Sequence, residues 1–206
     1  MPLDLAALLA PAQSALLMME CQEGVVGSGG KLGALADAVG RHGTIAQIAR
    51  VLAAARRARA HVFHCTISRR ADGGGAAANC RLLAATRKSP LPLVPGSPQQ
   101  AIVAPLGPAD GEWVVTRFHG LTPFHATELD QLLRNLGVRT VVATGVSVNV
   151  GILGLTLEAV DAGYQVVIPR EAVAGTPDDY VESVFEHTLG LLATVTTVAR
   201  VEEVWR

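Results

Sequence analysis

The sequence predicts an α/β fold, a three-layer αβα sandwich around a six-stranded parallel sheet in a Rossmann-like arrangement. Short, β-rich apolar runs alternate with longer segments of helical periodicity along the whole chain, which is the pattern of βαβ units. A parallel sheet is covered by helices on both faces, so three layers follow. A chain of 206 residues is long enough for one sizeable core and too short for two ordinary domains, and it shows no internal repeat. We therefore expect one domain over residues 1–206.

The first elements are two strands and the helix between them. Residues Ala15 to Met19 form an apolar run, Ile45 to Ala60 an Ala/Arg-rich amphipathic pattern, and His61 to Ile67 a second β-rich run. From Ser68 to Gly111 the chain is rich in Gly, Pro and Ala. Such composition predicts a long excursion, part of which covers a pocket.

The alternation resumes after residue 111 with four further strands and three helices. Thr176 is the expected N-terminal cap of the last of these helices, because threonine hydroxyls accept bonds from the first helical amides. The predicted strands are Trp113 to Thr116, Thr140 to Thr144, Gln165 to Ile168 and Ala193 to Thr197, and the predicted helices are His125 to Leu136, Ser147 to Ala162 and Pro177 to Leu189.

Composition narrows the function classes. Half of the residues are hydrophobic and only 17% are charged, which favours further burial between subunits and hence a homo-oligomer, a dimer or tetramer. The formal net charge is -1, and the basic pairs Arg56-Arg57 and Arg69-Arg70 are interpreted as charged surface patches. Nucleic acid is therefore not an expected partner.

The cysteines and the least charged segment indicate the cellular compartment in which the protein is expected. Cys21, Cys65 and Cys80 have neither the paired spacing of a zinc site nor the density of a disulfide scaffold, which favours a reducing, cytoplasmic setting. The uncharged stretch from Thr140 to Leu157 is interrupted by glycines and an asparagine, so it predicts a buried strand, turn and helix and no membrane span. No basic region precedes the first apolar residues, so a secretory signal is not expected.

Three strand ends carry residues suited to chemistry. Glu20 follows the first strand, Arg117 follows Val114-Val115-Thr116, and a glycine-containing turn, residues 145–151, follows the strand that ends at Thr144. In an open parallel sheet, catalytic groups lie at the carboxyl ends of strands near the point where the strand order reverses. We expect these three segments to form one site.

The same segments resemble the isochorismatase-like superfamily, which includes nicotinamidases, carbamoyl-amide hydrolases and isochorismatases. Where the family has Asp-Met-Gln, a strand ending in Lys and a Thr-Gly-Val turn leading to Cys, this chain has Glu20-Cys21-Gln22, Arg117 followed by Pro123-Phe124, and Thr144-Gly145-Val146-Ser147 leading to Gly151. The segment from Asp161 to Val167 is also similar to the family. The resemblance implies the fold, and a cis peptide bond between Val146 and Ser147.

The resemblance also implies a site. Its catalytic positions are Glu20, Arg117 and Gly151, and no cofactor is implied. Glycine has no side chain with which to form a thioester. Isochorismatases that hydrolyse a vinyl ether provide a cysteine-free precedent, in which Glu20 would protonate the substrate, water would add and pyruvate would leave. The positions expected to contact the small-molecule substrate are Gln22, His119, Phe124, Val146, Ser147 and Val150.

The charge state of Glu20 depends on two opposed influences. Burial favours the protonated acid, whereas a neighbouring Arg117 favours the carboxylate; if Arg117 instead binds a substrate carboxylate, Glu20 becomes a competent acid. Nicotinamidase-like relatives place an Asp and two His near the second strand, but His61 and His64 lack the following Asp-x-His, so no metal site is expected.

Alternatives remain at several positions. Glu20 and Arg117 form either a catalytic pair or a structural ion pair, and the chain is either a cysteine-independent hydrolase or a non-catalytic ligand-binding or assembly protein, a pseudoenzyme. An amidase that uses Cys65 as a replacement nucleophile ranks last. Several residues also have a purely structural interpretation. Cys21, Cys65 and Phe124 can be interpreted as core packing residues, Ser147 as a helix cap or turn residue, and His119 as a surface-loop residue.

Overall fold

The computed structural model describes residues 4–27, 33–87 and 93–206. Within them, seven strands form one parallel sheet, in the order β3-β2-β1-β4-β5-β7, with β6 paired to the end of β4. All six predicted strands are present. The seventh, β6, has only two residues, too few for any periodicity to show in the sequence. The strands are β1 (Ser14–Met19), β2 (His61–Ile67), β3 (Trp113–Arg117), β4 (Thr140–Val146), β5 (Gln165–Pro169), β6 (Val173–Ala174) and β7 (Thr194–Thr196).

Helices cover both faces of this sheet, as the sequence predicts. In the described part of the chain none of them is long and apolar enough to cross a membrane. The helices are α1 (Leu5–Leu8), α2 (Gly33–Arg41), α3 (Thr44–Ala58), α4 (Arg81–Arg87), α5 (Leu129–Asn135), α6 (Leu153–Asp161), α7 (Asp178–Val184), α8 (Gly190–Leu192) and α9 (Val198–Val204). Helix α4 lies inside the predicted excursion.

Three helix starts differ from their predictions. Helix α5 begins at Leu129 and not at His125, because Ala126 has a φ of 54°, which no right-handed helix contains. The helix after β4 opens with a wider π-helical turn, Val148–Ile152, before α6. The prediction that Thr176 caps the helix is wrong, because Pro177 occupies the position before α7 and no side chain caps that helix.

The core consists of two hydrophobic clusters, one on each face of the sheet. Because side chains alternate along a strand, Leu16 and Met18 enter the first cluster with α3 and α9, and Leu17 and Met19 enter the second with α5 and α6. All six residues of β1 are buried. The long helix α3 shows the matching periodicity, since its buried residues recur at three- and four-residue spacing: Ile48, Val51, Leu52 and Ala55.

The strand order places a reversal point between β1 and β4. The chain proceeds outward from β1 through β2 to β3, then returns to β4 on the other side of β1 and proceeds outward again. Gly145 lies beside Met19 at this point, with a φ of 104°, and a Cβ there would collide with the Met19 carbonyl oxygen. The close approach therefore requires glycine, and the carboxyl ends of β1 and β4 flank the crevice where ligands bind in such sheets.

Candidate active site

Glu20 lies immediately after β1 in a backbone conformation that glutamate seldom adopts. Its φ is 52°, in the left-handed region, and it is held there by a bond from its amide to the Cys65 carbonyl (2.9 Å) and by one from the Gln22 amide to its own carbonyl (2.9 Å). Left-handed non-glycine residues cost roughly 1–2 kcal/mol and cluster at functional sites. The side chain is 18% exposed, so the carboxylate is reachable from solvent.

Arg117 ends β3, beside Ile67 of β2. Strand alternation directs it to the same face as Val115 in the second cluster. Its side chain is only 3% exposed, and its Nη2 donates to Glu20 Oε1, so the two predicted catalytic residues form an ion pair. Its Nε and Nη1 have no hydrogen-bond partner among the described residues. Two buried nitrogens of a cationic group thus keep unused capacity to donate hydrogen bonds.

The turn after β4 has the cis peptide bond expected between Val146 and Ser147. Ser147 precedes the π-helical turn with an extended backbone, but its hydroxyl caps no helix amide, so the side-chain cap is not formed. The side chain is half-buried, as is that of Val150. Contact of either residue with substrate stays a prediction.

Gly151 lies in the π-helical turn on the face that Met19 occupies. A Cβ placed on it would lie 2.8 Å from the Val146 carbonyl oxygen and 3.2 Å from Met19 Cε. The first of these distances is shorter than real Cβ contacts, and its partner is backbone, which cannot swing away as a side-chain end can. A side chain at position 151 therefore requires the turn to move.

Three predicted substrate contacts have other roles. Gln22 is fully buried. Its side-chain Nε2 donates to the carbonyls of Ile67 (2.9 Å) and Gln100 (3.0 Å), and its Oε1 accepts from the backbone amide of Ile67 (2.8 Å). The Val146 side chain is buried in the first cluster. Phe124 packs against the second cluster, its ring 5.9 Å from that of Tyr164, which supports the packing alternative. The side chains of Gln22 and Val146 are thus buried, and contact of the half-buried Phe124 with substrate stays a prediction.

His119 is exposed beyond β3 and packs edge-on against His125, with ring centroids 6.3 Å apart. This placement fits the surface-loop alternative. Its predicted contact with substrate remains a prediction.

The structure adds Arg69 to the site. It lies two residues beyond the end of β2, between the ends of β1 and β3, and it is half-buried. Burial lowers the pKa of its guanidinium; Glu20 opposes that effect and Arg117 adds to it. Sequence reasoning interpreted Arg69 as part of a surface patch. Its position just past a strand end, the signal used for Glu20 and Arg117, could have identified it.

The two buried cysteines pack in the core. Burial raises the pKa of the Cys65 thiol to about 12, and the nearby Arg117 offsets only part of that rise. Burial also raises the pKa of Cys21, whose sulfur lies 3.6 Å from the Met19 carbonyl in the first cluster. Thiolates are the nucleophilic form of cysteine, so neither residue is suited to replace a catalytic thiol.

His64 and Arg56 both contact the Glu112 carboxylate. His64 Nε2 lies 2.9 Å from Glu112 Oε2, and burial lowers the pKa of His64. Burial would raise the pKa of Glu112, but hydrogen bonds from Arg56, His64 and the Ala109 amide outweigh it and lower the pKa to about 2. In residues 4–27, 33–87 and 93–206 no group of three or more His, Cys, Asp or Glu side chains is placed to hold a metal ion.

Comparisons with known proteins agree with this architecture. The family model of the isochorismatase domain matches residues 14–200. Maleamate amidohydrolase of Pseudomonas putida is 31% identical over 80% of this chain and 74% of its own length, and ureidoacrylate amidohydrolase RutB of Agrobacterium fabrum is 29% identical over 91% and 89%. The crystal structure of an isochorismatase family protein from Desulfovibrio vulgaris superposes with a TM-score of 0.81 at 29% identity, covering 93% of this chain and 97% of that one.

Proposed function

The chain belongs to the isochorismatase family, and on that basis we propose that it hydrolyses a small anionic substrate without a cysteine nucleophile. In this proposal Glu20 is the acid/base and Arg117 binds the anionic group. Amidohydrolases among its relatives support hydrolysis as the reaction type. The observation that carries the proposal is the buried Arg117, which pairs with Glu20 through one nitrogen and keeps two N–H groups unpaired.

The two residues act in sequence. A substrate carboxylate that takes the free N–H groups of Arg117 partly neutralises the guanidinium, which weakens its hold on the Glu20 carboxylate. Glu20 can then accept a proton from water as the water oxygen adds to the electrophilic carbon. It returns that proton to the leaving group as the bond to that group breaks. This order applies to an amide; on a vinyl ether Glu20 first protonates the methylene carbon and then takes a proton from the water that adds.

The turn after β4 supplies the remaining element. The first amides of a helix have no partner within it, so amides at the start of the turn that begins at Val148 are suited to stabilise negative charge developing on a substrate oxygen. Gly151 leaves the turn without a side chain at the position where the family's cysteine would lie. Under this proposal the turn stabilises charge and Glu20 moves protons, so no covalent intermediate forms.

Steady-state hydrolysis by Glu20→Gln tests the proposal. A panel of small amide and vinyl-ether carboxylates would be assayed with the wild type, with Glu20→Gln and with Glu186→Gln, a control that removes an exposed carboxylate from the turn after α7. We expect Glu20→Gln to lower kcat by about 10²–10⁴-fold and Glu186→Gln to leave it unchanged. Circular dichroism verifies folding. Unchanged turnover by folded Glu20→Gln would remove Glu20 from the mechanism.

The ion pair itself favours a second candidate function. Glu20 and Arg117 form an ion pair in a site whose position 151 is glycine, and this arrangement is also suited to a protein that binds a ligand without catalysis. Inactivity of the wild type towards the whole panel, together with binding of small carboxylates in calorimetry, would select this alternative.

We also propose a homo-oligomer. The edge strand β3 exposes Trp113 and Val114, and Phe118 follows it with 48% of its surface exposed. Apolar side chains on an unpaired strand edge favour association with another chain. Light scattering coupled to gel filtration should give a dimer or tetramer mass, and a monomer mass at micromolar concentration would contradict this.

A further inference from the structure

His119 and His125 lie at the two ends of a short segment in the loop between β3 and α5. Both side chains are exposed, and their rings pack edge to face, with centroids 6.3 Å apart and an interplanar angle of 73°. They are separate from His61 and His64 of β2, for which the sequence predicts no metal site. The loop thus brings two imidazoles together on the protein surface.

Both imidazoles are available to a ligand. In the part of the chain that the structure describes, neither forms an ion pair with a carboxylate, whereas His42, His64 and His187 each do. A neutral imidazole has one ring nitrogen with a free lone pair, and this is the atom that binds metal ions. His119 and His125 therefore present two metal-binding nitrogens to solvent.

Hydrogen bonds within the loop and to α6 hold the segment between the two histidines. Thr122 Oγ1 donates to Glu158 Oε2 of α6. Thr127 Oγ1 donates to the Pro123 carbonyl and accepts from the Leu129 amide at 3.2 Å. Because this backbone is already fixed, a ligand that binds both histidines loses less conformational entropy than one that must first order the loop.

The separation of the two rings suits a shared metal ion. With Zn–N bonds of about 2.0–2.1 Å and tetrahedral angles, two imidazoles on one zinc ion have ring centroids about 5 Å apart. The observed separation of 6.3 Å is longer by roughly 1 Å. Rotation of two exposed side chains about their χ angles can close that difference without movement of the backbone.

We propose that His119 and His125 together bind one divalent transition-metal ion of the kind that prefers imidazole, such as zinc, nickel or copper. Water completes the coordination, because two protein ligands are fewer than the four of a closed structural zinc site. The bound ion links the two ends of the segment and so fixes the loop that joins Arg117 to α5. The site lies outside the proposed hydrolytic mechanism and does not depend on it.

Zinc titration by isothermal calorimetry tests the proposal, on the full chain without a polyhistidine tag. The titrations use a Cys80→Ser background, because Cys80 is exposed and its thiolate would compete for zinc. We expect one zinc ion per chain. His119→Gln and His125→Gln should each lower the affinity at least about tenfold, because binding through two linked ligands becomes binding through one.

Two further variants separate a shared ion from general surface binding. The double variant His119→Gln/His125→Gln should bind zinc little more weakly than either single variant, since one ion cannot be chelated by the remaining imidazole alone. His187→Gln removes an exposed histidine elsewhere and should leave the affinity unchanged. Zinc should raise the melting temperature of the background protein and not that of the single variants, and melting without zinc verifies that each variant folds.

Three results would overturn the inference. They are the absence of saturable zinc binding to the Cys80→Ser protein, two zinc ions per chain of which each single variant loses one, and an equal loss of affinity in His187→Gln. Each of them leaves the proposed hydrolysis to be decided by Glu20→Gln.

Discussion

Replacing Gly151 by alanine probes whether the turn after β4 has room for any side chain. The added Cβ would lie 2.8 Å from the Val146 carbonyl oxygen and 3.2 Å from Met19 Cε. Relieving such a contact in a packed interior costs about 1–3 kcal/mol through backbone shift. A glycine-to-alanine change in a helical segment also gains up to about 1 kcal/mol in helix propensity, which must be separated from the steric cost.

Gly40→Ala provides that separation. Gly40 lies in α2 with no atom within 4 Å of the position that its Cβ would occupy. Its substitution therefore reports the propensity gain alone. For a chain of this length each kcal/mol shifts the melting temperature by about 2–4 °C. We expect Gly151→Ala to melt about 2–12 °C below Gly40→Ala in calorimetric scans of the two variants side by side.

Gly151→Cys extends the measurement to chemistry. The same backbone contact displaces the turn, so we expect the new thiol to accumulate no acyl adduct in intact-mass spectra after incubation with the amide panel. Equal melting temperatures for Gly151→Ala and Gly40→Ala would refute the steric reasoning. An acyl adduct on Gly151→Cys would show that the turn accommodates a nucleophile after all.

The remaining predictions concern charge and thiol reactivity. Because Glu112 has a pKa of about 2 in the folded protein and 4.5 ordinarily, its stabilisation is present above pH 4.5 and is lost as the pH falls towards 2. Glu112→Gln should therefore flatten the pH dependence of the free energy of unfolding between about pH 5 and pH 2, and an unaltered dependence would contradict this. Iodoacetamide at pH 8 should label exposed Cys80 and leave Cys65, whose pKa is about 12, unmodified until urea is added; rapid native labelling of Cys65 would refute its burial. In urea denaturation, a double-mutant cycle of Glu20→Gln and Arg117→Gln should give a coupling of at least about 1 kcal/mol, whereas additive effects would mean that the pair does not interact.

Much of the architecture could be predicted from the sequence because it depends on local pattern. Apolar runs located all six longer strands to within two residues, and β2 has the bounds predicted for it. Helical periodicity located α3. The weaker predictions lie at helix starts such as Leu129, where one left-handed residue, Ala126, decides the boundary and leaves no periodic signal.

The part of the candidate site that lies at strand ends could be predicted from the sequence. Glu20 and Arg117 follow apolar runs, and parallel strands bring their carboxyl ends to one edge, so the ion pair between them accords with sequence reasoning. Arg69 follows the same rule. It was missed because an adjacent arginine made both residues look like a surface patch, although Arg70 alone is in solvent.

The sequence by itself determined the fold, the edge of the sheet at which the candidate site lies and the residue types at that edge, because alternation and apolar periodicity are properties of neighbours along the chain. Only the tertiary structure decided which of these side chains are free to act. Gln22 is occupied by backbone groups from residues 67 and 100, and Arg117 retains two unpaired N–H groups. Position 151 has no space for a side chain, because a carbonyl five residues earlier lies against it. Partners and free volume depend on the register between strands and on the paths of distant loops, which no local pattern specifies.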